Sequence, residues 1–189
     1  MNKLRVGLAM TGSFCTFDKT LSALEALSGR YELTPILSET AFDTDTRFGQ
    51  AADFRARIEA LCGRPILHSI PEVEPVGPKD YFDVLLIAPC TGNTLAKLAH
   101  GITDGCVTMA AKSHLRGGKP VLLAVSTNDG LSGSAANIGT LLNRKHIYFL
   151  PFLQDDPAAK PRSLVSDYSR LDEAILSAAR GQQLQPILA

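Results

Sequence analysis

Asp83-Val84-Leu85-Leu86-Ile87-Ala88-Pro89-Cys90-Thr91-Gly92-Asn93-Thr94 runs from five consecutive apolar residues through a proline into a cluster of small polar side chains. Leu95-Ala96-Lys97-Leu98-Ala99 follows with helical spacing. Strands covered on both faces of a parallel sheet read as unbroken apolar runs, and ligands of such sheets lie beyond the carboxyl ends of the strands. The stretch therefore predicts a central strand followed by a helix N-terminus. Hydroxyls and an amide then stand where a ligand binds.

Outward from this strand, apolar runs alternate with helical periodicity. Strands are predicted over Leu4–Met10, Leu33–Leu37, Val84–Ala88, Val121–Val125 and Ile147–Leu150. Helices are predicted over Phe17–Leu27, Thr46–Leu61, Thr94–His100, Asp104–Leu115, Ala135–Arg144 and Ser166–Ala179. Leu21, Leu24 and Leu27 share one helical face, as do Ile138, Leu141 and Leu142. Such alternation means βαβ units with right-handed crossovers. The expected fold is α/β, a three-layer doubly wound parallel sheet of flavodoxin-like or Rossmann-like type, forming a single domain over residues 1–189.

Two segments interrupt the alternation. Pro71 through Pro78 carries three prolines, each without a donor and with fixed φ, and reads as an extended surface connection. Pro151 through Pro161 reads as a long structureless loop, a lid or an interface element. Gln182–Ala189 holds no obvious element and reads as a tail that packs on a neighbouring protomer or frays.

Composition bounds the function. Hydrophobic residues make up 45% and charged residues 20% of the 189-residue chain, as in ordinary globular proteins. A formal net charge of zero, with no run of like charges, argues against nucleic acid or a membrane surface as partner. No apolar stretch approaches the ~20 residues that span a bilayer. Met1 through Met10 fits a first buried strand better than a signal peptide. The four cysteines show neither C-x-x-C pairing nor zinc spacing, which suits buried thiols in the cytoplasm. Cys15 and Cys90 are singled out because each lies just past a predicted strand, where a helix N-terminus lowers a thiol pKa.

Four polar clusters converge on one sheet edge if this topology holds. Thr11-Gly12-Ser13-Phe14 has one glycine rather than three, so it suits a phosphate monoester or a plain turn, not a pyrophosphate. Ser38-Glu39-Thr40 offers an acid for a ribose diol, or simply a strand end with Thr40 or Asp43 capping the next helix. Pro89 through Thr94 is the densest cluster, and Ser126-Thr127-Asn128-Asp129-Gly130 is the fourth. Acid–base candidates are sparse: His68 leads over His100, His114 and His146, each of which also reads as a surface or packing residue, the adjacent Asp155 and Asp156 read as solvated loop acids, and no metal-ligand spacing stands out. The chemistry then falls to a cofactor.

Pro89 through Asp104 resembles the P-x-x-x-N-T-x-A-K-x-A-x-G-x-x-D motif of the flavoprotein family of homo-oligomeric, FMN-binding cysteine decarboxylases, which also contains flavin prenyltransferases. The likeness extends to Met109-Ala110-Ala111-Lys112, Ser126-Thr127-Asn128-Asp129, Ile147 through Phe152, Gln154-Asp155-Asp156-Pro157 and Gln183-Leu184-Gln185-Pro186. It points to a dipicolinate-forming branch of the family. The resemblance implies FMN, with its phosphate near Gly12, Ser13 and Ser38 and its ring near Pro89, Thr91, Asn93 and Thr94. Phe14 and Thr40 join the phosphate end, and Ser126 and Thr127 border the pocket. It also implies oxidation of a dihydro precursor during endospore formation, a partner of different sequence, and a homo-oligomer of trimers or multiples of trimers.

Departures narrow the activity. Family decarboxylases carry P-x-M-N-x-x-M-W where Ser126 through Gly133 stands, without methionine or tryptophan. Their histidine precedes the motif strand, a place His68 takes only across Pro71–Pro78. The prenyltransferase pattern needs more glycine in the first loop. The competing expectations are an FMN-dependent decarboxylase of a cysteinyl substrate and a non-catalytic partner protein that binds only phosphate or a nucleotide.

Overall fold

The computed structural model describes residues 3–27 and 29–188. Its strands are β1 (Leu4–Met10), β2 (Tyr31–Leu37), β3 (Val84–Cys90), β4 (Val121–Thr127), β5 (Ile147–Phe149), β6 (Phe152–Leu153) and β7 (Leu164–Ser166). The parallel part runs β2-β1-β3-β4-β5, the flavodoxin-like order. Chain direction across the sheet reverses between β1 and β3, which opens a crevice at their carboxyl ends. Beyond β5, the end of β4 pairs antiparallel with β7, and β7 with β6.

Alternation along the strands feeds two cores. Val84, Leu86 and Ala88 face α1 (Phe17–Glu25), α3 (Ala51–Cys62) and α8 (Leu171–Ala179), meeting Leu21, Ile58 and Ile175. Leu85 and Ile87 face the opposite layer, where Leu95 of α5 (Gly92–His100), Val107 of α6 (Cys106–Arg116) and Ile138 of α7 (Ala135–Leu142) cover them. All seven β3 residues are buried, as an unbroken apolar run requires. Near its end the register slips: Ile87 faces Leu123 and Cys90 faces Val125, three residues advancing against two. This bulge turns Cys90 onto the same face as Ile87.

The proline-rich connection corrects the expectation of an extended segment. Ile70–Val73 forms a short helix, α4, and Glu74–Val76 a 3₁₀ turn. Pro71 and Pro75 sit in the first positions of these elements, where the missing N–H has no intrahelical partner to lose. Glu72 Oε2 accepts from Ser69 N at 2.9 Å, and Val73 and Val76 are fully buried. The helix expected from Thr46 begins instead at Ala51. Thr46 through Gly49 closes a tight turn, and Asp45 Oδ1 accepts from Ala51 N at 2.8 Å. A further short helix, α2 (Glu39–Asp43), is capped by Ser38, whose Oγ accepts from Ala41 N at 3.2 Å, so neither Thr40 nor Asp43 holds that place.

The last third differs most. The segment read as structureless starts with β6, and Ser166, expected to open a helix, ends β7, so α8 begins only at Leu171. The tail is tied to its own sheet. Gln183 Nε2 donates to Phe149 O at 2.7 Å while its Oε1 accepts from Phe149 N at 2.8 Å. Phe152 N donates to Ile187 O at 2.8 Å. On the far flank, Leu67 N donates to Pro35 O at 2.9 Å and Leu37 N to Leu67 O at 3.0 Å.

Candidate functional site

The β1 and β3 loops are stitched into one ridge. Thr11 is 2% exposed; its Oγ1 donates to Pro89 O at 2.8 Å and accepts from Thr91 N at 3.1 Å, and its N–H donates to Pro89 O at 3.2 Å. Clefts of about 260 and 430 Å³ open on either side, and both are lined by Gly12 and Thr91. A Cβ on Gly12 would touch Thr40 Cγ2 at 3.4 Å and Phe14 Cε2 at 3.6 Å, and because the residue lines both clefts a ligand can approach its backbone.

The smaller cleft lies between Ser38, Glu39 and Thr40 of the β2 end, the start of α5 and the start of α6. Thr91 Oγ1 accepts from Thr94 N at 3.2 Å and caps α5. Asn93, in the first turn, is exposed and its side chain has no hydrogen-bond partner among the described residues. Lys97 is paired with Asp104 at 2.8 Å, and that pairing holds the Asp104 carboxyl below its usual range. Glu39 Oε1 accepts from Cys106 N at 3.1 Å, so this acid satisfies the α6 N-terminus, the arrangement a helix dipole favours. Cys106 donates to Leu37 O, and burial, with the Glu39 charge adding, pushes its thiol up to about 12.

The larger cleft is lined by the β1 loop, the start of α1, the end of β4 and the β6–β7 loop. Its floor is a hydroxyl triangle: Ser126 Oγ lies 2.8 Å from Ser13 Oγ and 2.7 Å from Thr16 Oγ1, and Ser13 Oγ lies 3.4 Å from Thr16 Oγ1. Tyr168 borders it, accepting from Thr20 Oγ1 at 2.8 Å; burial holds its phenol protonated. Lys19 and Lys160 line the same cleft with Asp155. Beside the cleft, Asp129 Oδ1 accepts from Thr127 Oγ1 at 2.6 Å and Ser134 Oγ at 2.8 Å; these bonds hold its carboxyl below the usual range. Gly92 abuts this network so closely that a Cβ would lie 2.7 Å from Ser134 Oγ.

Of the residues predicted to line a cofactor site, Gly12, Ser13, Ser38, Thr40, Thr91, Asn93, Thr94, Ser126 and Thr127 line one or both clefts. Phe14 and Pro89 do not. Phe14 packs on Phe17, ring centroids 5.1 Å apart, and Pro89 is buried with its carbonyl accepting from Thr11. His68 lines neither cleft: its ring stacks on Phe42 at 3.9 Å, with Nδ1 3.4 Å from Glu72. Cys90, expected to have a lowered pKa, is fully buried on the α5 face, and desolvation raises it instead. Lys160, Ser163 and Tyr168 went unforeseen because they arrive from a distant loop and turn, and Lys19 because nothing in its local pattern sets it apart from the exposed face of α1. Lys97 stood inside the motif and could have been read from it. No cluster of three metal-ligating side chains occurs among the described residues.

Comparison with known proteins gives these clefts a family. The family model described as Flavoprotein matches residues 1–159. The B subunit of dipicolinate synthase from Bacillus subtilis (strain 168) is 43% identical over 185 residues, 97% of this chain and 92% of the relative. The crystal structure of the dipicolinate synthase B subunit from Bacillus halodurans C matches at TM-score 0.90 and 43% identity, covering 100% of this chain and 98% of that one. Burkholderia xenovorans DmrB in complex with FMN, described as a cubic protein cage for redox transfer, shares the fold at TM-score 0.68 and 17% identity, covering 92% and 93% of the two chains. By the family model and this end-to-end likeness to the dipicolinate synthase B subunit, the chain belongs to the flavoprotein family.

Proposed function

We propose that the chain is the B subunit of a dipicolinate synthase, the flavin-dependent oxidoreductase component that forms dipicolinate from a dihydrodipicolinate-type precursor during endospore formation. The observation that carries this reading is the 43% identity to the dipicolinate synthase B subunit across 97% of the chain. The residues at the switch point fit FMN. Gly12 lines both clefts and admits a phosphate in the smaller one, where the hydroxyls of Ser38 and Thr40 can donate to it and the α5 N-terminus favours negative charge. Beside it the larger cleft, about 430 Å³, falls in the ~300–1,000 Å³ range of small-molecule sites and is left for the substrate.

When bound, FMN supplies the two-electron acceptor for the oxidation. The protein's part is placement. Thr91, Asn93 and Thr94 present donors along the ridge, and Ser126 and Thr127 border the larger cleft. His68 takes no part, being outside both clefts. Ser126 through Gly133 lacks the methionine and tryptophan expected of a cysteine decarboxylase, which supports oxidation over decarboxylation. The reading further takes the chain as one domain over residues 1–189 in the cytoplasm. It is a homo-oligomer of trimers or multiples of trimers, with the dipicolinate synthase A subunit as partner. No described helix is long and apolar enough to cross a membrane.

An absorption spectrum tests the cofactor. Protein incubated with FMN and freed of excess should retain flavin bands. Colourless protein that also fails to bind added FMN would overturn the oxidoreductase reading in favour of a non-catalytic partner protein. Co-purification with the A subunit, and loss of dipicolinate on deletion, test the synthase assignment.

A further inference from the structure

Building on the synthase reading, we propose that the larger cleft is a dicarboxylate site in which Lys19 and Lys160 determine specificity. Lys19, near the start of α1, lines the cleft, and its Nζ pairs with no carboxylate among the described residues. It lies 5.7 Å from the Tyr168 ring centroid. Lys160 is placed by the β6–β7 loop. Its Nζ donates to Asp155 Oδ2 at 2.8 Å, and Asp155 Oδ1 accepts from Ser163 Oγ at 2.9 Å. Ser163 is 1% exposed, so this part of the loop is anchored. The loop is also held to the segment after β4 by Leu131 N donating to Arg162 O at 2.9 Å.

The charge pattern separates the two clefts. Two lysines against one aspartate line the larger one. The smaller has one lysine, already paired with Asp104, and one glutamate. An ammonium has three donors, so Lys160 can keep Asp155 and still donate to a ligand carboxylate. The rest of the larger cleft suits a flat ring bearing two acids. Val165 and Tyr168 offer apolar surface, and the hydroxyl triangle faces a second carboxylate. Charge-assisted hydrogen bonds make such a site discriminate between one and two carboxylates.

The test is calorimetric titration of the full-length protein with pyridine-2,6-dicarboxylate and pyridine-2-carboxylate, in parallel with FMN binding followed by flavin fluorescence. Wild type should prefer the dicarboxylate. Lys19→Ala and Lys160→Ala should each weaken it about tenfold or more, lose most of the preference, and leave FMN binding unchanged. Lys160→Arg should restore part of the affinity. Both lysines are exposed, and equal thermal melts establish that the variants are folded. Unchanged dicarboxylate affinity in both alanine variants overturns the proposal, as does a wild type that binds the two pyridine acids equally. A wild type that binds FMN but not the dicarboxylate overturns this site while the flavin reading stands. Binding of neither removes both.

Discussion

Replacing Gly92 by alanine places a methyl carbon 2.7 Å from Ser134 Oγ, 2.9 Å from Thr127 Oγ1 and 3.2 Å from Asp129 Oδ1. Those contacts are relieved by turning the two hydroxyls away, which breaks their 2.6 and 2.8 Å bonds to Asp129. Hydrogen bonds to a charged group contribute about 1.5–3 kcal/mol each, but Asp129 is exposed and water replaces part of the loss, so about 0.5–1 kcal/mol each is the working figure. Alanine gains up to about 1 kcal/mol of helix propensity over glycine in a helix interior and less at the first position, where Gly92 sits. Set against that gain, the net expectation is a loss of about 0.5–1.5 kcal/mol. For a chain of this size that lowers the melting temperature by roughly 1–6 °C. Scanning calorimetry at neutral pH measures it. A variant that melts at or above the wild-type temperature refutes the packing argument, because helix propensity alone would then govern the site.

Gly12→Ala is the contrasting case: its Cβ meets Thr40 Cγ2 at 3.4 Å and Phe14 Cε2 at 3.6 Å, ordinary contacts, so the melting temperature should hold while FMN affinity falls about tenfold, read by fluorescence titration. Asn93→Asp should weaken FMN by removing a donor and adding a charge, yet raise stability by about 0.3–1 kcal/mol through the α5 dipole; unchanged FMN affinity would sink the placement of Asn93. His114 is 1% exposed, and burial pushes its pKa down to about 4. The unfolded chain therefore takes up this proton first, so stability is full above pH ~6.5 and declines to about pH 4, by roughly 3 kcal/mol. Urea midpoints across that range should show the slope in wild type and lose it in His114→Gln.

The central strands were legible because double-sided burial demands unbroken apolar runs, and Val84 through Ala88 and Val121 through Val125 obey it. The weaker parts escaped for physical reasons. Three residues, Leu164 to Ser166, cannot display a period, and β7 exists because the end of β4 has backbone groups left to pair. Pro71 looked like a breaker, although the start of a helix tolerates it. The strand-end residues of the site were legible from position alone, since the topology sends Gly12, Ser38, Thr91 and Ser126 to one edge. Lys160 was not, because no local pattern records which loop returns over the cleft, and Lys19 reads as an ordinary exposed helix residue. The bulge after Ile87 was equally silent in the sequence, yet it decides that Cys90 faces α5 as a buried, inert thiol.

The stitched flanks have a consequence for assembly. Open sheet edges recruit strands from other chains, and this chain covers part of each of its own. On the outer side of β2, Pro35 has no donor to offer and Leu67 takes the groups beside it; at the other flank the Gln183 amide imitates a neighbouring strand against Phe149, and Ile187 occupies Phe152. Strand addition is thereby blocked at these positions. At those positions an associating chain is left the helix faces and the loops, some of which also line the clefts.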